Sequence, residues 1–220
     1  MTVASLVAAH LVAATVILTA GRSLGRWLLA VAIAPVLAAF AAVATQVPAV
    51  LDGRVPTASW SWVPGLAVSL SVRLDGFATL LALLVTGIGV IVLVYAAGYF
   101  AADPSPRRVP RFAAFFTLFA GAMLGLVVAG DVWTLFVCWE LTSVLSFLLI
   151  GLDDEQAAAR TAALRALLVT GAGGLVLLGG LLCLVHQARS SQLAADIAAA
   201  PHSTLGQGGV VFVVIGAFIK

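Results

Sequence analysis

The chain has 220 residues, of which 63% are hydrophobic and only 9% are charged. This composition excludes an ordinary soluble domain, in which about a quarter of the residues are charged. A net charge of +2 with scattered basic residues also excludes a nucleic-acid-binding protein. The mean hydropathy of +1.18 and repeated apolar runs of about 20 residues instead predict an integral membrane protein.

The apolar runs predict six complete membrane-spanning helices and part of a seventh. The complete spans are Val3–Ala20, Trp27–Val47, Phe77–Phe100, Phe112–Ala129, Val132–Gly151 and Ala166–His186, and the partial span begins near Gly208. From Gly208 to Lys220 a helix would cover about 20 Å, which is short of the ~30 Å hydrocarbon core. We therefore expect an all-α polytopic membrane protein, and a chain that is a fragment of a longer one.

The arginines predict which side of the membrane each loop faces. Seven of them lie on one side of the predicted spans, and three lie on the other. Because loops rich in Arg and Lys stay in the cytoplasm, the counts predict a cell-membrane protein with an external N-terminus. The cytoplasmic set is Arg22, Arg26, Arg107, Arg108, Arg111, Arg160 and Arg165, and the external set is Arg54, Arg73 and Arg189.

The loop between the second and third spans shows a strand pattern. From Val68 to Leu74, apolar residues alternate with polar ones, which is the period of a β-strand. Pro64-Gly65 is typical of a turn, and Trp60 and Trp62 precede it. The loop is therefore predicted to form a short external β-hairpin, with its tryptophans at the membrane interface.

Three polar residues beside the apolar segments predict where helices begin. Asp131 is placed as the N-cap of the fifth span, and Asp75 as a capping or interfacial residue before the third. Ser191 is placed to cap a short alanine-rich helix that Pro201 would stop.

Residue patterns typical of a metal centre, a nucleotide-binding loop or a nucleophilic triad are absent from the sequence. We therefore predict no metal and no cofactor. Cys138 and Cys183 both fall within apolar runs, and we expect them to be free thiols that act as small hydrophobic side chains.

Glu140 is the only charged residue of the predicted span Val132–Gly151. It lies ~12 Å from the start of that helix, near its middle. A carboxylate at this depth is expensive by several kcal/mol, so it usually has a function. Its own helix offers no counter-charge one turn away, so a partner must come from another helix, from water or from a proton. A proton- or cation-relay site is the favoured interpretation, and a neutral carboxyl that only packs against a neighbouring helix is the alternative.

Lys220 is the only lysine of the chain and lies ~18 Å into the last predicted segment. The pattern alone supports equally an intramembrane lysine and one that reaches the interface from a short helix. Arg165 and His186 are weaker candidates for a proton path, because residues near span ends usually pack or reach the interface. His10 has the same two interpretations.

Three stretches together resemble the large antiporter-like subunits shared by Mrp cation/proton antiporters and respiratory complex I. They are Ser71–Phe100, Gly121–Gly151 and Val213–Lys220, and the W-E-L-T-S string that follows G-D is the most specific part. The resemblance divides the chain into two regions. Residues 1–70 hold the first two spans and the external loop, and residues 71–220 hold the start of the antiporter-like domain.

Within this superfamily the chain most resembles the A subunits of the Mrp antiporters. Its sixth span carries Gly171, Gly173 and Gly174, where the counterpart in complex I usually carries an arginine and an aspartate. The resemblance maps the intramembrane glutamate of the family onto Glu140 and its broken-helix lysine onto Lys220.

This resemblance implies a transporter subunit rather than an enzyme. The subunit would couple protons to Na⁺ or another monovalent cation, in a lipid bilayer and together with other membrane subunits. Glu140 would accept and release a proton, and Lys220 would modulate its proton affinity. A proton-pumping subunit of complex I or of a membrane-bound hydrogenase is the first alternative. A scaffold subunit that does not transport is the second.

Overall fold

The computed structural model describes residues 3–63, 68–100, 108–200 and 203–220. Eight α-helices lie in these residues, and six of them are long and apolar enough to cross a membrane. The helices are α1 (Val3–Leu24), α2 (Leu28–Leu51), α3 (Gly76–Tyr99), α4 (Arg108–Val127), α5 (Val132–Ile150), α6 (Ala157–Ala188), α7 (Leu193–Ala199) and α8 (Thr204–Ile219). The predicted all-α polytopic fold is confirmed, and α8 is the predicted partial seventh segment.

The first four helices form one packed unit, to which α5, α6 and α8 are added in chain order. Helix α1 packs against α4, and α2 packs against α3. Helix α4 then contacts α5, α5 contacts α6, and α6 contacts α8. The outer face of α3 remains uncovered, with Phe77 72% exposed and Ile91 68% exposed. Such a face suits lipid chains or a neighbouring membrane protein.

The predicted β-hairpin is present. Strands β1 (Thr57–Val63) and β2 (Val68–Arg73) pair antiparallel, with Trp60 opposite Leu70. Val72 is buried against the ends of α2, α3 and α4, whereas Trp62 is 55% exposed. The predicted turn at Pro64-Gly65 lies outside the described residues. The side of the bundle that carries this hairpin also holds the starts of α5 and α8.

An acidic turn joins α5 to α6 on the side opposite the hairpin. Arg108 and Arg111 at the start of α4 form ion pairs with Asp153 and Asp154 over 3.2 Å and 2.9 Å. The hydrogen bond from Arg111 holds the pKa of the Asp154 carboxyl below its ordinary value. Both pairs are partly exposed, so they fasten the turn to α4 but add little stability.

His10 packs in the interface of α1 and α4. It is 1% exposed, and its Nδ1 lies 2.7 Å from the carbonyl oxygen of Leu6 on the same helix. A Cβ at Gly121 of α4 would lie 2.8 Å from the Cβ of His10, so the glycine makes this contact possible. The packing interpretation of His10 fits this position.

Two sequence predictions of helix starts need correction. Helix α6 begins at Ala157 rather than Ala166, because the alanine-rich stretch before the apolar core continues the helix. Ser191 does not cap α7, because the N-cap is Gln192 and makes no side-chain capping bond. The backbone carbonyl of Ser191 instead accepts a hydrogen bond of 2.9 Å from the N–H of Val132. This bond fastens the loop before α7 to the start of α5.

Candidate functional site

The start of α5 is held in place by a buried polar cluster. Asp131 is its N-cap, as predicted, and accepts a hydrogen bond of 2.9 Å from the N–H of Thr134. The same carboxylate accepts bonds from the Thr134 hydroxyl, at 2.7 Å, and from the N–H of Ser71 in β2. Asp131 is fully buried. The cap therefore joins α5 to the hairpin and fixes the depth of every later residue of α5.

The side chain of Lys220 reaches from the end of α8 to the middle of α5. Its Nζ donates to the carbonyl oxygen of Trp139 at 2.8 Å and to the hydroxyl of Ser143 at 3.1 Å. A third bond goes to the Thr142 hydroxyl. The ammonium also lies 4.4 Å from the centroid of the Trp139 ring, within the range of a cation–π interaction. Lys220 is thus at the depth of the residues on either side of Glu140.

The Glu140 carboxyl points to α6. Its Oε1 is buried, and it has no hydrogen-bond partner among the residues that the structure describes. A Cβ at Gly174 would overlap this oxygen, so only glycine leaves room for it. None of the ion pairs found in the described ranges joins Glu140 to Lys220. Within these ranges the carboxyl and the amine therefore share the same depth of α5 without a direct ion pair.

Glycines bring α8 close enough to α6 for Lys220 to reach α5. A Cβ at Gly180 would lie 2.6 Å from the carbonyl oxygen of Gly209, and one at Gly216 would lie 2.6 Å from the N–H nitrogen of Leu177. A Cβ at Gly173 would lie 2.8 Å from Ile219, the residue before Lys220. The backbones of the two helices are therefore in direct contact.

The structure brings together the two main predicted site residues and leaves the weaker ones apart. Arg165 and His186 are both exposed on α6. They lie about 14 Å and 18 Å along the helix axis from Gly174, the residue that faces Glu140. Their role in a proton path stays a prediction.

Sequence reasoning underestimated the neighbours of Glu140. Thr142 and Ser143 follow Glu140 closely in the chain, and both bind the Lys220 amine directly. The Trp139 carbonyl and the role of Gly174 were not foreseen. Trp139, Thr142 and Ser143 all belong to the W-E-L-T-S string. The specificity of that string was the signal in the sequence that could have identified them as part of the site.

A second buried carboxyl lies on α7, outside the membrane-spanning helices. Asp196 is 1% exposed, and neither of its carboxyl oxygens has a hydrogen-bond partner in the described part of the chain. Burial raises the pKa of Asp196 from its ordinary value of 3.8 to about 6. The packed position of α7 therefore favours the protonated form.

The raised pKa of Asp196 predicts that the packing of α7 depends on pH. Below pH 3.8 the Asp196 carboxyl is protonated whether α7 is packed or open. Between pH 3.8 and about pH 6, the carboxyl stays protonated only while α7 is packed. The packed state thus loses stability as pH rises through this range, and the loss is complete above it. Hydrogen exchange of residues 193–199, corrected for intrinsic rates, should show opening becoming easier up to about pH 6. Asp196→Asn should remove this dependence, whereas the exposed Asp52→Asn should keep it; equal profiles for all three proteins would contradict the prediction.

Two family models match the chain. The model described as NADH-ubiquinone oxidoreductase (complex I), chain 5 N-terminus, matches residues 60–116. The model described as NADH:quinone oxidoreductase/Mrp antiporter, TM, matches residues 129–220 and so contains both Glu140 and Lys220. Together they account for more than half of the chain.

Curated relatives match most of the chain with substantial identity. A probable K(+)/H(+) antiporter A/B subunit of Rhizobium meliloti is 42% identical over 188 residues, which is 84% of this chain and 18% of the relative. The Na(+)/H(+) antiporter A1 subunit of Staphylococcus haemolyticus is 36% identical over 173 residues, which is 77% of this chain and 21% of the relative. The chain therefore spans about a fifth of the length of these relatives.

Solved structures share the fold. The Mrp complex from Dietzia sp. DQ12-45-1b contains a chain that matches with a TM-score of 0.79 and 30% identity, over 100% of this chain and 24% of that one. The membrane-bound sulfane sulfur reductase, an archaeal respiratory membrane complex, matches with a TM-score of 0.79 at 19% identity, over 97% of this chain and 43% of that one. The second likeness concerns the fold alone.

Proposed function

We propose, for a chain that belongs to the family of Mrp-type antiporter A subunits, that Glu140 and Lys220 form its proton-relay pair. The full-length subunit would exchange protons for a monovalent cation across the membrane. The relatives are named for K⁺ and for Na⁺, and we propose Na⁺ as the cation for this subunit. Because the chain spans only part of its relatives, transport belongs to the complete subunit in its complex.

One observation carries this proposal: the Lys220 amine binds α5 at the depth of Glu140, and no ion pair found in the described ranges joins it to the Glu140 carboxyl. Lys220 binds residues 139, 142 and 143 of α5, on both sides of Glu140 in the sequence. At ~4 Å and an effective dielectric constant of ~20, such a charge pair is worth about 4 kcal/mol. That energy corresponds to a change of nearly 1000-fold in proton affinity. Movement of Lys220 over a short distance can therefore load and unload Glu140.

The chemistry asked of this pair is proton binding and release. Glu140 binds the proton at its carboxyl, whose Oε1 is buried against Gly174 of α6. Lys220 contributes a positive charge whose distance from the carboxyl decides whether the protonated or ionised form is favoured. The complete complex would supply the remaining membrane subunits as partners.

A redox-driven proton pump is the second candidate function. The match of residues 60–116 to complex I chain 5 favours it, because that family takes its energy from electron transfer. The glycines Gly171, Gly173 and Gly174 favour the antiporter instead, and Gly174 is used here to accommodate Glu140. Cation-dependent proton movement without a redox substrate would decide for the antiporter.

The proposed function is tested with the full-length subunit in its complex, reconstituted into liposomes that carry a pH gradient. Addition of Na⁺ should dissipate the gradient in the wild-type complex. The Glu140→Gln complex should not respond, although it assembles normally. A scaffold role for this subunit predicts instead that both complexes respond equally.

The proposed orientation places the hairpin and the N-terminus outside the cell, because seven of the ten counted arginines lie on the opposite side. A cysteine that replaces the exposed Ser59 of β1 should react with a membrane-impermeant thiol reagent in intact cells. A cysteine that replaces the exposed Glu155, in the turn before α6, should react only after the cells are permeabilised. The opposite labelling pattern would invert the topology, and the parent protein without added cysteines is the control.

A further inference from the structure

We propose that Lys220 and Glu140 have separate resting sites, and that Gly174, Thr142 and Ser143 are positioning residues that set how often the two charges meet. The amine site consists of the Trp139 carbonyl and the Thr142 and Ser143 hydroxyls. The carboxyl notch is the space that Gly174 leaves open on α6. This inference rests on the proposed relay function and specifies how its two states are separated.

The amine site satisfies all three N–H groups of the ammonium. A lysine ammonium has three donors, and α5 supplies three oxygen acceptors to it. The Thr142 hydroxyl donates its own proton to the Trp139 carbonyl at 2.7 Å, and the Ser143 hydroxyl lies 3.3 Å from the same oxygen. Their lone pairs therefore remain available to the ammonium. The amine accordingly has a complete set of partners without the carboxylate of Glu140.

Water cannot easily take the place of the Thr142 and Ser143 hydroxyls, because both residues are buried. Thr142 is 1% exposed and Ser143 is 2% exposed. Removal of either hydroxyl would take one of its three α5 acceptors from the ammonium, which is unfavourable. Among the described residues, Glu140 is the opposite charge that acts on Lys220, so its carboxylate is the charged acceptor to which the amine can turn. Loss of the amine site should therefore increase the time that the two charges spend together.

The carboxyl notch at Gly174 positions Glu140, the other member of the pair. Oε1 of Glu140 occupies the volume that a methyl group at Gly174 would need. The preceding Gly173 instead contacts Ile219, so the two adjacent glycines serve different neighbours. A methyl group at position 174 would drive the carboxyl out of the notch without removing a contact between α6 and α8.

No other charged group competes for these two residues in the described ranges. Lys220 is the charge that acts on Glu140, and Glu140 is the charge that acts on Lys220. The thiol of Cys138 faces Gly125 on α4, and Cys183 contacts Gly209 on α8. Arg165 and His186 are exposed on α6. Among the described residues, no third charge would therefore account for a shift in the pH profile of transport.

The test is the pH profile of antiport by the full-length complex in liposomes. Thr142→Val keeps the shape of the side chain and removes its hydroxyl, and Ser143→Ala removes the second one. If Lys220 spends more time at Glu140, a higher proton concentration is needed to load the carboxyl. The midpoint of the profile should therefore move to lower pH, by roughly one unit for the loss of a hydrogen bond to a charged group. Gly174→Ala should move it in the same direction.

Matched controls are present on the same helices. Ser146→Ala removes a hydroxyl of α5 that is not among the hydrogen-bond partners found for Lys220 in the described residues. Gly171→Ala adds a methyl group to α6 where no described atom lies within 4 Å. Both should keep the wild-type midpoint. Thr142→Ser restores the hydroxyl and should also keep it. If the Thr142→Val/Ser143→Ala double variant fails to assemble, the Thr142→Val and Thr142→Ser single variants decide between the outcomes.

An assembled Thr142→Val/Ser143→Ala complex with the wild-type midpoint would overturn this inference. The inference would also be overturned if the Thr142→Val complex and the Thr142→Ser complex both kept the wild-type midpoint. The Glu140→Gln complex, measured in parallel, separates the two claims. If it is inactive while the midpoint of the Thr142 variants does not move, only the separate resting sites are wrong. If it transports normally, the proposed relay function itself is wrong.

Discussion

The Glu140→Gln variant of the full-length subunit is expected to lose coupled transport by ~100-fold or more, while the complex assembles at wild-type levels. Glutamine keeps the shape of the side chain and can form hydrogen bonds, but it cannot bind and release a proton in this range of pH. Oε1 of the carboxyl has no hydrogen-bond partner among the described residues, so folding does not depend on a bond to that oxygen. The measurement is Na⁺-dependent dissipation of a pH gradient in liposomes, normalised to the amount of assembled complex.

Glu140→Asp is the matched control for this variant. It keeps an ionisable carboxyl, although one methylene shorter, and should retain part of the activity. Wild-type transport by Glu140→Gln at normal subunit levels would contradict the relay role. Loss of transport in both variants to the same degree would show that the position, rather than the proton, is what matters.

Lys220→Ala is expected to shift the pH dependence of transport strongly or to abolish transport, because it removes the charge that tunes Glu140. Lys220→Arg keeps the charge but not the compact ammonium that fits three oxygens of α5, so it should retain partial activity. Both variants are measured in the same liposome assay across a range of pH. An unchanged profile for Lys220→Ala would contradict a role for Lys220 in proton loading.

The coupling between the two residues is measured with a double-mutant cycle. Adding Glu140→Gln to Lys220→Ala should cost little more than the single changes, because each one already disables the same pair. Glu140→Asp is expected to keep measurable activity, so it provides a second cycle with quantifiable rates. Losses that simply add would mean that Glu140 and Lys220 act independently, even if both are needed.

Much of the fold could be predicted from the sequence because the bilayer demands long apolar helices. The six spans, the N-cap at Asp131 and the β-hairpin each have a local signal: an apolar run, a cap residue and an alternating pattern. The two errors concern boundaries. Helix α6 starts earlier because alanines continue a helix without being part of the apolar run, and Ser191 uses its backbone rather than its side chain.

The site could be predicted only in part, because its geometry depends on contacts between helices. Glu140 was identifiable as a lone carboxyl in a span, and Lys220 became a candidate through the resemblance to a family. Nothing local to Lys220 indicates that it binds Thr142 and Ser143, which lie 78 and 77 positions earlier in the chain. Similarly, the space at Gly174 is visible only when α5 lies against α6. The sequence shows small residues there but not what occupies the space they leave.

The protonation of Glu140 itself is the most direct test of the account. A pH-induced infrared difference spectrum of the reconstituted full-length complex reports the C=O stretch of each carboxyl that changes protonation. We expect the wild-type spectrum to contain a carboxylic acid band that disappears as pH rises, that is absent from Glu140→Gln, and that moves to a different pH in Lys220→Ala. Wild-type and Glu140→Gln spectra that are identical across the working range of pH would mean that Glu140 does not exchange a proton, and would contradict the relay.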